Sequence, residues 1–185
     1  MKSGVRALGV AESFREGRST LAGVVVRANR VVDGFVFGGC TVGGSDATDT
    51  IAEMIERLDR PDVSYVLIAG IAPAWFNVLD LHAIAEAADR PTLSVTFEDS
   101  EGLESALREA FDGDALDDRL ATYRSQPDRH ELNLGDETVY LRAVGCPVEE
   151  AEQVIRAFTP EGGRPEPLRI ARQAARAADS FRREY

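Results

Sequence analysis

Three apolar runs joined by short polar turns open the chain, and they restrict its topology more than any other feature. Residues 5–10, 21–26 and 31–37 are rich in valine, glycine and phenylalanine and have the length of strands. A polar loop at residues 15–18 and a tight turn at residues 29–30 connect them. Short connections of this kind predict an antiparallel three-stranded meander.

After the meander the hydrophobic period changes from strand to helix. Asp46, with Asp49 three residues later, resembles a helix N-cap followed by a first-turn acid. Apolar residues then recur at helical spacing, at Ile51, Met54, Ile55 and Leu58. This segment is therefore predicted to be the first helix.

The middle of the chain predicts a fourth strand, a second helix and a fifth strand in alternation. Asp62-Val63 leads into a strand whose last residues, Val66-Leu67-Ile68-Ala69, form a short apolar run that stops at Gly70. Residues 73–88, which begin with proline, have helical periodicity. Residues 91–97 predict the next strand. Ligands of open α/β sheets bind just beyond the carboxyl ends of the strands, so the corner at residues 70–80 is the first place to look for chemistry.

The remainder of the chain gives a weaker pattern. It predicts a helix beginning at Glu98-Asp99-Ser100 and running to Phe111, a helix over 116–123, a polar turn region over 131–135, a strand over 138–141, a helix over 147–158, a flexible connection over 159–167 and an Ala- and Arg-rich helix over 168–181.

Three antiparallel strands followed by helix, strand, helix and strand predict an α/β protein with the ribonuclease H-like fold. Right-handed crossovers would place the fourth strand beside the first, giving a mixed five-stranded sheet with helices packed on it. We expect residues 1–185 to form a single domain. In this fold the active carboxylates come from the first strand and from the end of the fourth, where this chain has Glu12 and Ala69.

The charge of the chain bears on its partners. The formal net charge is -11, and Lys2 is the only lysine among 21 basic residues, a composition that resembles proteins of salt-accumulating, halophilic cells. An acidic surface repels a phosphate backbone, but at molar salt the Debye length falls to about 3 Å and local contacts decide binding. A nucleic-acid partner therefore stays open.

Other sequence features bear on the cellular location and on the state of the cysteines. The charged N-terminus and the lack of any apolar run of 18 residues argue against a signal peptide and a membrane span. Cys40 and Cys146 are far apart in sequence and form no CxxC pair, which favours two free thiols and indicates no zinc site. We therefore expect a cytoplasmic protein.

Four segments, taken in order, carry a family resemblance. They are Leu8-Gly9-Val10-Ala11-Glu12, Thr41-Val42-Gly43-Gly44-Ser45-Asp46-Ala47-Thr48, Ala69-Gly70-Ile71 with Phe76-Asn77-Val78-Leu79-Asp80, and Pro165-Glu166-Pro167-Leu168-Arg169-Ile170-Ala171-Arg172. Together they resemble the archaeal DUF99 or UPF0215 proteins, also called endonuclease dU, which are similar to endonuclease V. The resemblance covers nearly the whole chain.

The resemblance implies Mg²⁺-dependent hydrolysis of nucleic-acid phosphodiesters, but the chain departs from the family pattern at its acids. Ala11 and Glu12 stand where the family has paired aspartates, Ala69 stands where it has the aspartate before the corner glycine, and Arg172 stands at a position that is commonly histidine. A divalent cation that activates water needs hard oxygen ligands, usually two or more carboxylates that converge from different elements. The resemblance therefore implies a depleted site.

The candidate site residues follow from these matches. Glu12 is the candidate metal ligand and, with Asp80, a candidate catalytic residue. The candidate nucleic-acid contacts are Gly70, Phe76, Asn77, Arg169 and Arg172.

Each candidate also has an ordinary structural explanation. Glu12 could be a solvated strand-end acid, Asp80 a helix acid bonded to its neighbours, and Asn77 a residue that fixes the corner. Trp75 and Phe76 could stack on a base, or they could pack in the core. Arg169 and Arg172, three residues apart on the last helix, could contact phosphates, or they could pair with Glu166 or with the acidic surface.

Three functions therefore stay open from the sequence. The first is an endonuclease V-like hydrolase with a reduced metal site. The second is a catalytically inactive module that binds nucleic acid or a protein through the same groove. The third is a purely structural or oligomerising role. The oligomeric state cannot be read from the sequence.

Overall fold

One mixed β-sheet forms the centre of the computed structural model, which describes residues 1–14, 17–135, 137–160 and 163–184. The strands of this sheet are β1 (Arg6–Phe14), β2 (Arg18–Arg27), β3 (Val32–Thr41), β4 (Val63–Ala69), β5 (Thr92–Thr96), β6 (His130–Leu134) and β7 (Glu137–Val144). The helical segments are α1 (Ala47–Leu58), α2 (Pro73–Phe76), α3 (Leu81–Ala88), α4 (Glu104–Ala110), α5 (Gly113–Arg124), α6 (Val148–Ala157) and α7 (Glu166–Glu184).

The strand order is β3-β2-β1-β4-β5-β7-β6. The meander of β1, β2 and β3 is antiparallel, and β4 and β5 run parallel to β1, as the order of elements predicted. The parallel crossovers bring the carboxyl ends of β1, β4 and β5 to the same edge of the sheet. Strand β1 is longer than expected and continues to Phe14, so Glu12 lies inside the strand, opposite Leu21 of β2.

The expected five strands are corrected to seven, because β7 pairs antiparallel with β5 and β6 pairs antiparallel with β7. Residues 131–135, predicted as a polar turn region, form most of β6. The strand has only two apolar side chains, Leu132 and Leu134, and both are buried on one face while their neighbours are exposed. So short an alternation gives little signal of a strand.

The predicted helix over 73–88 is interrupted. Its first part is the single turn α2, and the regular helix α3 begins only at Leu81, after the N-cap residue Asp80. The helix predicted from residues 98–100 also begins later, at Glu104. The loop at residues 15–18 and the connection at residues 159–167 include residues 15, 16, 161 and 162, which lie outside the described residues.

Helices cover both faces of the sheet. Helices α1 and α3 bury their apolar sides against one face, where Leu8 and Val10 of β1 share a core with Met54 and Ile84. Helices α6 and α7 cover the other face. Side chains alternate along each strand, so that face receives residues such as Ala11 of β1 and Leu67 of β4. Among the described residues, no helix is long and apolar enough to span a bilayer.

Helix α7 lies directly on β1 and β2. Its Asp179 is 2% exposed and accepts hydrogen bonds from Ser13 and Thr20, each at 3.5 Å. At the other end of the contact, Gly9 of β1 faces the backbone of Pro167, and a Cβ atom at position 9 would lie 2.3 Å from the Pro167 carbonyl carbon. The glycine therefore allows the start of α7 to approach the sheet closely.

Strand β3 is one edge of the sheet. Phe35 and Phe37 project from it with stacked rings 6.5 Å apart, and both are exposed. Two arginines from the α1 side donate hydrogen bonds to carbonyl groups of this strand, Arg57 to Phe37 and Arg60 to Asp33. These side chains occupy acceptors of the edge strand.

Replacing Gly9 with alanine is expected to lower the free energy of unfolding by about 1–3 kcal/mol, because the new methyl group overlaps the backbone of Pro167. Gly4→Ala is the matched control, since nothing lies within 4 Å of a Cβ there. Urea denaturation followed by circular dichroism measures both. Equal midpoints for the two variants would contradict the close approach of α7.

Candidate functional site

A cleft of about 240 Å³ opens at the carboxyl ends of the central strands. Its floor is formed by the corner that follows β4, at residues 69–73, and by the end of β5, at residues 95–98. The charged side chains that line it are two glutamates and four arginines, namely Glu12, Glu98, Arg129, Arg142, Arg164 and Arg172. The cleft is thus rich in positive charge although the whole chain is acidic.

Glu12 is half-buried at one wall of the cleft. One oxygen of its carboxylate, Oε2, accepts hydrogen bonds from the Ser19 hydroxyl at 2.7 Å and from the backbone N–H of Ala74 at 2.8 Å. Burial raises the pKa of Glu12 above its usual value of 4.5, while these two hydrogen bonds and the positive charge of Arg172 oppose the rise. The carboxylate is therefore already engaged in holding the protein together.

Ala11 and Ala69 lie at the sheet positions expected from the sequence, on the face of the sheet that helix α7 covers, and Ala69 also lines the cleft together with Glu12. Adjacent residues of a strand point to opposite faces, and Ala11 is buried against Ala171 of α7, in the cluster that Ala69 also contacts. An acid at these positions would therefore belong to the α7 face of the sheet. Glu12 does not replace it there.

The residues of the cleft do not fit a divalent cation. Mg²⁺ prefers several hard oxygen ligands, usually carboxylates from different elements. Here the cleft has two carboxylates, those of Glu12 and Glu98; one oxygen of Glu12 already accepts two hydrogen bonds, and Arg172 brings a positive charge beside it. Throughout the described part of the chain, no group of three or more His, Cys, Asp or Glu residues is placed to hold a metal ion.

Two of the four arginines are fixed by neighbouring groups. Arg129 stacks on the ring of Tyr140 at 3.8 Å and donates to the backbone carbonyl of Ser100 at 2.7 Å. Arg142 donates to the Tyr123 hydroxyl at 3.2 Å and to a backbone carbonyl at Pro127. These two guanidinium groups form a rigid wall.

The other two arginines present their charge to the cleft. Arg164 stacks on the ring of Phe97 at 4.1 Å, and Arg172 projects from α7 near Glu12. Neither forms an ion pair with any carboxylate that the structure describes. Desolvation and the like charge of Arg172 lower the pKa of Arg164 from its usual value, so an anion between them would relieve an existing repulsion.

The turn α2 beside Glu12 is strained. Ala74, Trp75 and Phe76 have φ angles of 50°, 55° and 61°, so three consecutive residues with side chains are in the left-handed region. Each costs about 1–2 kcal/mol relative to the right-handed conformation. Surrounding hydrogen bonds hold the turn, since Ala74 donates to Glu12 and accepts from the N–H of Gly43 at 2.7 Å.

Asn77 joins this turn to helix α1. It is fully buried, its Oδ1 accepts from the backbone N–H of Ala47 at 3.0 Å, and its Nδ2 donates to Asp46 at 2.8 Å. Asn77 thus caps the N-terminus of α1 although it lies 30 residues further along the chain. Asp46 stands at the N-cap position but does not cap the helix with its side chain, because its carboxylate bonds Thr41 and Asn77 instead.

The structure separates Asp80 from Glu12. Its carboxylate caps α3 by accepting the backbone N–H groups of His82 and Ala83, and it does not line the cleft. This is the structural role that the sequence left open beside catalysis. Asn77, which the sequence predicted as a nucleic-acid contact, is buried, and its side chain bonds Ala47 and Asp46.

The remaining sequence candidates are divided. Gly70 and Arg172 line the cleft, and the φ of Gly70 is +84° with open space where a side chain would lie. Phe76 packs beside Trp75 and Phe111, and Arg169 is paired with Glu166 on the exposed side of α7. The sequence did not predict the other three arginines of the cleft. Arg129, Arg142 and Arg164 lie in separate segments of the chain and share no local motif.

The strand order and the position of the cleft define an α/β protein with the endonuclease V-like, ribonuclease H-like architecture. Endonuclease V from Ciona intestinalis, solved in complex with a 24mer DNA that contains an inosine followed by a ribo-adenosine, superposes with a TM-score of 0.62 over 96% of this chain and 87% of that one, at 12% identity. At that identity the likeness concerns the fold.

The family is shown by closer matches. The chain belongs to the endonuclease dU family, whose sequence model matches residues 3–179. A UPF0215 protein from Pyrobaculum calidifontis is 32% identical over 171 residues, which are 91% of this chain and 93% of the relative. A protein of unknown function from Archaeoglobus fulgidus has a TM-score of 0.83 at 26% identity, covering 94% of this chain and 98% of that structure.

The carboxyl group of Glu12 is expected to titrate above pH 4.5, because burial outweighs the groups that stabilise its charge. Arg172→Gln should move the midpoint higher, since it removes one of those groups. ¹³C NMR of the side-chain carboxyl measures both midpoints. A midpoint at or below 4.5, or one unmoved by Arg172→Gln, would contradict this environment.

The same shift determines the pH dependence of stability. A raised pKa means that the folded state binds the Glu12 proton more tightly than the unfolded state, so this residue lowers stability as pH rises from 4.5 through the folded pKa. Glu12→Gln removes that contribution and is the control in the unfolding measurement.

Proposed function

We propose that this endonuclease dU family member binds nucleic acid by its phosphates in the arginine-lined cleft and does not depend on a catalytic Mg²⁺ ion. The observation that carries the proposal is the pair Arg164 and Arg172, which point their charge into the cleft without an ion pair to any described carboxylate. In a chain of net charge -11, such a pair is a local exception.

Guanidinium groups are suited to this task. Their planar donors match two phosphate oxygens at once, and the charge persists at any physiological pH. The wall formed by Arg129 and Arg142 adds fixed positive charge behind the pair. The Ciona endonuclease V of the same fold is solved with DNA, which supports a nucleic acid as the anionic partner.

The acidic remainder of the surface limits where a nucleic acid can lie. Phosphates that leave the cleft meet carboxylates, so only a short stretch of backbone is held favourably. Salt weakens the contacts inside the cleft but also screens this surrounding repulsion. We therefore expect a small binding footprint.

Hydrolysis in the same cleft is the second candidate function. It is favoured by Glu12, a carboxylate of raised pKa that lines the cleft beside Arg172. Against it stand the occupied Oε2 of Glu12 and the methyl side chains of Ala11 and Ala69. Binding and cleavage are separable by experiment.

Removing either cleft arginine is expected to weaken binding of a single-stranded oligonucleotide about 10- to 150-fold, as for the loss of a charge-assisted hydrogen bond of about 1.5–3 kcal/mol. Arg164→Ala and Arg172→Ala should each also reduce the slope of log affinity against log salt by about 0.7. Fluorescence anisotropy over a salt series measures both quantities.

The matched control is Arg90→Ala. Arg90 precedes β5 and lies at the opposite end of the strands, beside a separate depression of the surface. Binding that falls equally in all three variants would indicate a general effect of charge and would defeat the assignment of the cleft.

Cleavage is expected to be absent. Incubation of inosine- and uracil-containing DNA and RNA with Mg²⁺ or Mn²⁺, at low and high salt, should give no more product with the natural protein than with Glu12→Ala. Product that disappears in Glu12→Ala but survives in Asp80→Ala would instead support the second candidate with Glu12 as its residue, since the Asp80 carboxylate caps α3 outside the cleft.

A further inference from the structure

We infer that Trp75 is a stacking platform for an unpaired nucleobase next to the phosphate-binding cleft. This inference rests on the proposed function and specifies its ligand: a strand with at least one base free to leave its partner. Trp75 is 48% exposed, although a tryptophan is among the most favourable side chains to bury.

The exposure of Trp75 is built into the backbone. It is the middle residue of the three left-handed residues 74–76, a conformation that persists only where the surroundings impose it. A single exposed aromatic residue is ordinary on a protein surface. An exposed aromatic residue that a strained turn holds outward requires an explanation, and a binding role supplies one.

The indole ring of Trp75 is also held by packing against Gly43, Phe76 and Phe111. A Cβ atom at Gly43 would lie 2.8 Å from Cε3 of Trp75, so the ring rests against the bare backbone of that glycine, whose φ is +71°. The rings of Phe76 and Phe111 support it at centroid distances of 5.7 and 5.3 Å. The ring is thus held in one place while about half of the residue stays open to solvent.

Arg119 in turn holds the residues that contact the indole ring. The guanidinium group of Arg119 lies over the ring of Phe111 at 4.0 Å and donates to the carbonyls of Gly43 at 2.6 Å and Phe76 at 3.2 Å. These bonds tie the residues beneath and beside the indole to helix α5. A preorganised ring loses little entropy when a ligand stacks on it.

Trp75 is coupled directly to the cleft. Pro73, two residues earlier, lines the cleft, and the N–H of Ala74 holds the Glu12 carboxylate at 2.8 Å. A phosphate held by the arginines and a base on the indole would therefore contact adjoining parts of one rigid corner. Aromatic stacking accepts every base, because every base has a π-face, but it needs a base that is not enclosed in a duplex.

The chain provides its own probe, because Trp75 is its only tryptophan. Intrinsic fluorescence is measured during titration with a single-stranded oligonucleotide, with a duplex of the same sequence and with a single strand of abasic sites. Anisotropy of labelled copies reports binding in parallel. We expect quenching by the single strand, and little by the duplex or the abasic strand.

Variants test the contribution to affinity. Trp75→Ala should weaken binding of the base-bearing single strand about 5- to 150-fold and leave the abasic strand unaffected, whereas Trp75→Phe should retain most of the affinity. Phe35→Ala is the control, because Phe35 is a similarly exposed aromatic residue on the distant edge strand.

The outcomes separate the inference from the proposed function. Single-strand binding by anisotropy without any change in Trp75 fluorescence overturns the stacking site and leaves the proposed function standing. Equal quenching by the duplex overturns the requirement for an unpaired base. Absence of binding to every oligonucleotide overturns the proposed function and this inference with it. The fluorescence of the natural protein decides the question even if Trp75→Ala does not fold.

Discussion

The bond between the carboxylate of Glu12 and the backbone N–H of Ala74 is the contact on which the rest of the site depends. It joins the first strand of the sheet to the turn that follows β4, and Ser19 of β2 bonds the same oxygen. One half-buried acid thereby joins two neighbouring strands to a turn that lies 62 residues further along the chain. Its own ionisation is disfavoured by burial and sustained by these bonds and by Arg172. The position thus serves structure first, whatever chemistry the cleft performs.

The sheet could be predicted from sequence where periodicity was strong. Residues 21–26 and 66–69 are continuous apolar runs, and the order of strands and helices then predicted the topology of β1 to β5. Residues 131–135 could not be recognised as strand β6, because Leu132 and Leu134 become informative only once β7 lies beside them. The break of the helix before Leu81 was hidden for a related reason, since the left-handed turn at residues 74–76 is imposed by contacts from Glu12 and Gly43.

The site was less predictable than the fold. Family resemblance located the corner and identified Glu12, Gly70 and Arg172, which do line one cleft. It could not show that Ala11 faces helix α7 while Glu12 faces the other way, which follows from the pleat of β1. The arginines at 129, 142 and 164 meet only through the tertiary fold, and the amide of Asn77 shows its capping role only when α1 is in place.

The edge of the sheet has a consequence for the behaviour of the protein at high concentration. Strand β3 carries stacked, solvent-facing phenylalanines, a combination that invites strands from other molecules to add to it. Arg57 and Arg60 cover two of its carbonyl oxygens with charged side chains. A strand from another molecule would have to displace both guanidinium groups before it could pair with β3. The two arginines therefore disfavour aggregation through this edge of the sheet.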